Sequence, residues 1–270
     1  MSTITRWLHR YGLASVLAAT LGCMSPVVAA GTAGTDKPDT TVRIAFVGDS
    51  IVDNYWSGVT RIVAANSCLK TRIVVGRYAR NSTGLSRGDK LYWPREVRRV
   101  EAAFKPTLMV VSLGLNDQQF IIDKAGHMTP WGAPNWADKY KAEIVEFLTE
   151  ANATHAGVML VGMPVMRDSA LNADVQTKNK WFAEAIAGLK LKDVEYVEPW
   201  QLNASGPDVY SSYGRDHNGK MTQVRTSDGQ HFTVAGEDLT AAYLWPKILS
   251  ALDRMGVNLG TCSGTSSSAK

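Results

Sequence analysis

The sequence predicts an α/β domain in which a parallel sheet is wrapped by helices on both faces. Strand-length apolar runs alternate with helix-length segments along most of the chain, the pattern such a sheet requires. Leu108 to Leu113 is apolar without a break, as a strand buried on both faces should be. Residues of unusual type, Ser50, Asn116 and Pro164, follow the ends of strands. Ligands of open α/β sheets bind outside those carboxyl ends, so residues far apart in sequence converge on one edge.

The first strand runs from Val42 to Val47 and stops in Gly48-Asp49-Ser50, with a helix over Asn54 to Ala65 after it. Arg72 to Arg77 is the second strand, and Asn81 to Lys90 is a loop rich in Gly, Ser and Asn. Pro94 opens the next helix, because proline needs no donor in a first turn. That helix reaches Phe104, with Val97, Val100 and Phe104 on one face. The third strand, Leu108 to Leu113, is broken by Gly114-Leu115-Asn116-Asp117. Residues 126–135 read as an insertion loop carrying Pro130, Trp131 and Pro134. A helix over Trp136 to Thr149, a strand over Gly157 to Met163, a helix over Asp174 to Leu189 and a short fifth strand over Val194 to Val197 follow. A long polar stretch, 201–229, leads to His231 and a last helix over Val234 to Met255. No repeat or interdomain linker interrupts this order, so one domain over 41–258 is expected, with a flexible polar tail over 259–270.

Of the 270 residues, 45% are hydrophobic and 20% charged, enough apolar material to bury a core. A net charge of only +4, with no basic block interleaved with aromatics, argues against a nucleic-acid partner. Arg6, His9 and Arg10 precede an apolar stretch from Leu13 to Leu21, and Val28-Ala29-Ala30 offers small residues for cleavage. This layout predicts a secretory signal peptide over 1–30, cleaved after Ala30, then a flexible linker over 31–40. A retained membrane anchor and lipidation at Cys23 are the rival readings, the second weakened by Thr20 where a lipoprotein site has leucine. The expected protein is periplasmic or secreted. No later stretch reaches the ~20 apolar residues of a membrane helix, so no stable membrane insertion is expected once the leader is gone. Cys68 and Cys262 remain; in an oxidising compartment they can form one disulfide or stay as two thiols. Neither has the spacing of a metal ligand, and no metal or cofactor is expected.

Acyl transfer through serine needs an activated hydroxyl, a base, a group that orients the base, and donors for the developing oxyanion. Ser50, between a strand and a helix, can project its hydroxyl at the sheet's mouth; alone it reads equally as a helix cap. In Asp228-Gly229-Gln230-His231 a turn can bring the carboxylate to one ring nitrogen and leave the other for Ser50. Asn116 can offer its side-chain amide, while Gly84 in Asn81-Ser82-Thr83-Gly84 and Ser50 can offer backbone amides. Viewed singly, each of these reads as a turn, cap or surface residue.

Together the four blocks resemble the SGNH/GDSL hydrolase family, and the likeness covers roughly residues 40–256. Gly48-Asp49-Ser50, Asn81-Ser82-Thr83-Gly84, Gly114-Leu115-Asn116-Asp117 and Asp228-Gly229-Gln230-His231 stand in the family's order, with Ile51 where leucine is usual. The resemblance implies a three-layer α/β/α, flavodoxin-like fold with about five parallel strands. It also implies Ser50 as nucleophile, His231 as base, Asp228 as its orienter, and an oxyanion hole of Ser50, Gly84 and Asn116.

The expected function is an exported serine esterase acting on an acyl ester, foremost O-acetyl groups of a carbohydrate. The partner is then an acylated small molecule or glycan. Alternatives are a periplasmic O-acyltransferase, a lipase or thioesterase, and a non-catalytic glycan-binding module. The last would need a missing triad member, and none is missing. Trp93, Trp131, Trp136, Trp200, Tyr210 and Tyr213 fall mostly in connections, where they can stack on sugar rings or pack beneath the loops. Trp131 and Tyr213, with Arg167 after the fourth strand, are the candidates for substrate contact; a surface salt bridge is the plainer role for Arg167. Asp49 and Asp53 are expected to cap or network rather than act as acids, and Asp117 to support the Asn116 turn.

Overall fold

The computed structural model describes residues 41–123, 125–198, 209–259 and 262. The expected leader and linker, Cys23, Trp200 and nearly all of the expected tail lie outside them.

In chain order the elements are β1 (Val42–Gly48), α1 (Ser50–Ala65), α2 (Ser67–Arg72), β2 (Ile73–Ala79), α3 (Trp93–Phe104) and β3 (Leu108–Ser112). A hairpin of β4 (Ile121–Ile122) and β5 (Met128–Thr129) follows, then α4 (Trp136–Asn152), β6 (Gly157–Val161), α5 (Ser169–Leu189) and β7 (Val194–Val197). A second hairpin, β8 (Tyr213–Arg215) and β9 (Met221–Gln223), precedes α6 (Val234–Arg254). Five strands form one sheet in the order β2-β1-β3-β6-β7, every pair parallel.

Alternation along the strands builds the layers. Val42, Ile44 and Phe46 face a core completed by α1 and α6, while Ala45 and Val47 face one completed by α3, α4 and α5. Val97, Val100 and Phe104 are buried together in the second core, as their spacing predicts. The result is the expected three-layer arrangement. Its strand order reverses direction of growth between β1 and β3, and that switch point is where such sheets open a ligand crevice.

Several boundaries differ from expectation, for local reasons. Helix α1 starts at Ser50 rather than Asn54 because Asp49 caps it, its side chain accepting the Ile51 amide. Helix α5 starts at Ser169 rather than Asp174 because Asp168 accepts the Leu171 amide. The second strand is displaced to Ile73–Ala79 by α2, an extra helix capped by Asn66. The fourth strand ends at Val161 rather than Met163. Residues 126–135 are not wholly loop, since β5 pairs there with β4, and the polar stretch before His231 contains β8 and β9. Cys68 and Cys262 are bonded to each other, with Cα atoms 5.4 Å apart.

Candidate active site

The first block is a strand-to-helix turn held by one buried carboxylate. Asp49 performs the capping, so Ser50 is the first residue of α1 and its hydroxyl is left for other work. That hydroxyl lies 2.7 Å from His231 Nε2. The Ser50 amide belongs to the first helical turn, where an N–H has no acceptor within the helix and the dipole favours negative charge. Asp49 is fully buried and also accepts the amides of Gly114 (3.1 Å) and Leu115 (3.2 Å). It thereby bolts the serine turn to the third block across the β1–β3 switch point. Burial pushes its carboxyl up to about 7, against the pull of the amides and with a further push from the Asp117 charge.

His231 stands on the loop before α6. Asp228 Oδ2 lies 2.7 Å from His231 Nδ1, and its Oδ1 accepts the amides of Gln230 (2.8 Å) and His231 (3.0 Å) and the Thr226 hydroxyl (2.6 Å). Desolvation raises the Asp228 carboxyl, but these hydrogen bonds outweigh it and hold the group below the usual carboxylate range. The imidazole is thus oriented by an anion on one nitrogen and meets the serine with the other.

Two residues that hold this loop escape sequence reasoning. Arg225 is 1% exposed and donates to the carbonyls of Val165 (2.8 Å), Gln230 (2.7 Å) and His231 (3.3 Å). Its guanidinium also lies over the rings of Phe232 (4.6 Å) and Tyr210 (5.2 Å), and burial lowers it to about 10. Nothing in Val224-Arg225 marks a buried cation. Asn54 accepts the Phe232 amide at 3.3 Å and donates to Glu237 at 3.1 Å, joining α1, the histidine loop and α6. Its position four residues after Ser50 puts the two on one helix face, a signal that could have found it.

The second and third blocks meet around Asp117, which is also fully buried. Its carboxylate accepts the amides of Leu85 (3.0 Å) and Ser86 (2.9 Å) and the hydroxyls of Ser86 (2.6 Å) and Tyr140 (2.8 Å). Asp117 therefore supports the Gly84 segment as well as the Asn116 turn. Position 84 must be glycine, since a Cβ there would lie 2.1 Å from Asp117 Oδ1. Asn116 donates one amide hydrogen to the Thr83 carbonyl (2.9 Å), which orients the side chain and leaves it a second donor.

The tentative substrate residues separate. Arg167 makes no salt bridge among the described residues; its guanidinium donates to the Ser227 carbonyl (2.7 Å) and its amide to Gly229 (3.1 Å). It is a strut on the Asp228 turn. Tyr213 is 56% exposed on the β8–β9 hairpin and has no hydrogen bond to the triad. Trp93 and Trp136 are core residues, Tyr210 stacks on Arg225, and Trp131 is 44% exposed. Asp53 pairs with Arg77 through two contacts of 2.6 Å. Among the described residues, no group of His, Cys, Asp and Glu could hold a metal ion.

A serine–histidine–aspartate chain at the switch point of a five-stranded parallel sheet defines the class: this is the SGNH/GDSL hydrolase fold. Solved structures agree. A family 3 carbohydrate esterase from Talaromyces cellulolyticus aligns over 79% of this chain and 99% of its own, at 14% identity and a TM-score of 0.55. A catalytic mutant of an acetylxylan esterase from Geobacillus stearothermophilus aligns over 77% and 94%, at 15% identity and 0.53. A GDSL-like lipase from Bacteroides thetaiotaomicron aligns over 79% and 90%, at 19% identity and 0.50. At these identities the likeness is one of fold. By sequence, the chain belongs to the DUF459 family of proteins of unknown function, which matches residues 43–247. Comparison with curated proteins gives no match.

Proposed function

We propose that the protein is an exported serine esterase that removes acyl groups, foremost acetyl, from a carbohydrate. The observation that carries this is the continuous chain Asp228–His231–Ser50, with both links at 2.7 Å. His231 Nε2 takes the Ser50 proton as Oγ attacks the ester carbonyl. The oxyanion then faces the amides of Ser50 and Gly84 and the second Nδ2 hydrogen of Asn116. Collapse expels the alcohol, which receives the proton from His231 and leaves an acyl-Ser50. Water, deprotonated by His231, attacks that ester and releases the acid. Each oxyanion donor in such a hole contributes about 10²–10³-fold to the rate.

Hydrolysis is favoured over transfer to a sugar hydroxyl because the site is open. The His231 and Asp228 side chains are 28% and 45% exposed, so water reaches the acyl-enzyme. A carbohydrate as the acyl-bearing substrate is supported by the two carbohydrate-active esterases that share the fold. Export is supported by the leader-like N-terminus and by the Cys68–Cys262 bond, which suits an oxidising compartment. The test is turnover of p-nitrophenyl acetate and acetylated polysaccharide by the mature protein. Ser50→Ala should abolish both while leaving the circular dichroism unchanged. Undiminished activity in that variant, or activity in neither protein, would overturn the proposal.

A further inference from the structure

A groove of about 510 Å³ opens beside the candidate site, between the segment after Asn116 and helix α5. That volume lies in the range of small-molecule sites, roughly 300–1,000 Å³. Along the chain, its lining adjoins the candidate machinery at two points. Gln118, on its lining, is two residues beyond Asn116. Ala170, also on its lining, is three residues beyond Arg167, whose side chain and amide hold the Asp228 turn.

The walls are aromatic and fixed. Trp131 meets Trp136 edge-on, with centroids 4.4 Å apart, and Trp136 stacks on Tyr140 at 4.9 Å and 10°. Trp136 Nε1 donates to the Gln119 carbonyl, and the Tyr140 hydroxyl donates to Asp117. The indole platform is therefore tied to the carboxylate that supports Gly84 and Asn116. Behind it the ammonium of Lys178, fully buried, lies 5.4 Å from the Trp131 ring and donates to Asp174 (2.6 Å) and the Gly114 carbonyl (3.2 Å). With the cation on the buried side, the exposed part of Trp131 is left to solvent. Trp181 adds a further aromatic to the lining, Ala170 and Ala173 add small side chains, and Gln118, Asp174 and Thr177 add polar groups.

We propose that this groove is a subsite for pyranose rings of an oligosaccharide, placing the acyl ester over Ser50. This rests on the esterase reading for its purpose, though not for its test. A pyranose has an apolar C–H face bearing partial positive charge and a rim of hydroxyls. The π face of an indole attracts the first, and carboxylate, amide and hydroxyl groups bind the second. A fatty acyl chain would cover the Asp174 carboxylate, which Lys178 and Gln118 hold ionised at the groove, and would gain no hydrogen bond from it.

Binding is measured by calorimetry in the Ser50→Ala background, where no turnover disturbs it, with acetylated xylo-, cello- and manno-hexaoses as probes. At least one should bind. Trp131→Ala should weaken it about tenfold, the loss of one stacking partner. Ala173→Trp, on the exposed face of α5, should fill the groove and remove binding. Circular dichroism melts report whether each variant is folded. Equal affinity in all three proteins, or no binding of any hexaose, would overturn the subsite. Failure of the esterase reading is seen separately, as absent p-nitrophenyl acetate turnover by the protein with Ser50 intact.

Discussion

Two aspartates near Ser50 are driven in opposite directions by their surroundings. Asp228 receives two amides, a hydroxyl and an imidazole N–H, and these outweigh its desolvation, so it stays ionised and orients His231. Asp49 has three amides, but complete burial prevails and its carboxyl rises to about 7. In the unfolded chain the same carboxyl titrates near ~3.9. Between those values the native state keeps a proton that the unfolded chain has lost. The stability contributed by neutral Asp49 is therefore fully present below about pH 4 and is lost as pH rises through 7. Asp49→Asn removes this titration. Urea unfolding from pH 4 to 8 should show the stability difference, wild type minus variant, falling with pH by as much as about 4 kcal/mol. A difference constant with pH would show that Asp49 titrates normally. The constant offset between the proteins is a separate matter, because an asparagine can accept through only one oxygen.

At the scale of elements, the site depends on how closely β1 approaches β3. Gly48 has φ +147, and a Cβ there would stand 1.9 Å from the Ser112 carbonyl oxygen, which accepts the Asp49 amide. Gly48→Ala must strain the backbone and push the strands apart, costing about 3 kcal/mol or more. Gly188→Ala, in α5 with open space around its missing Cβ, should instead stabilise by up to about 1 kcal/mol. Thermal melts of the two variants should move in opposite directions; a mild Gly48→Ala would mean that the approach is not obligatory. The strands and the four blocks were legible because each writes a local signal: an apolar run, a breaker, a reactive residue after a strand end. The first turns of α1 and α5 were not, because their starts depend on whether Asp49 or Asp168 turns back to cap. Hairpin strands of two or three residues are too short to show a period. Arg225 and Lys178 were invisible as site residues, since what makes their burial tolerable includes carbonyls as much as 60 and 64 residues away.

Across the whole molecule, chemistry and closure sit at opposite edges of the sheet. The candidate site lies at the carboxyl ends of the strands, whereas α2 precedes β2 and Cys262 follows the end of α6, both at the other edge. The disulfide spans 194 residues of sequence, nearly the entire domain. A bond closing so long a loop mainly restricts the unfolded chain, and losing one typically costs about 2–5 kcal/mol. Part of the anchoring survives without it. The Arg72 guanidinium donates to the carbonyls of Leu259 (2.7 Å) and Asn258 (3.1 Å), so the C-terminal segment keeps a second attachment to α2. The double variant Cys68→Ser/Cys262→Ser should therefore lose stability toward the lower end of that range, about 2–3 kcal/mol by urea unfolding. Its kcat on p-nitrophenyl acetate should stay within about twofold of wild type below the unfolding transition, because the bond touches none of the Ser50, His231 or Asp117 supports. The same stability loss should appear when reductant is added to the wild type and be absent when it is added to the variant. A large fall in kcat in the folded double variant would mean that tension across the sheet reaches the serine turn, and the separation of the two edges would fail.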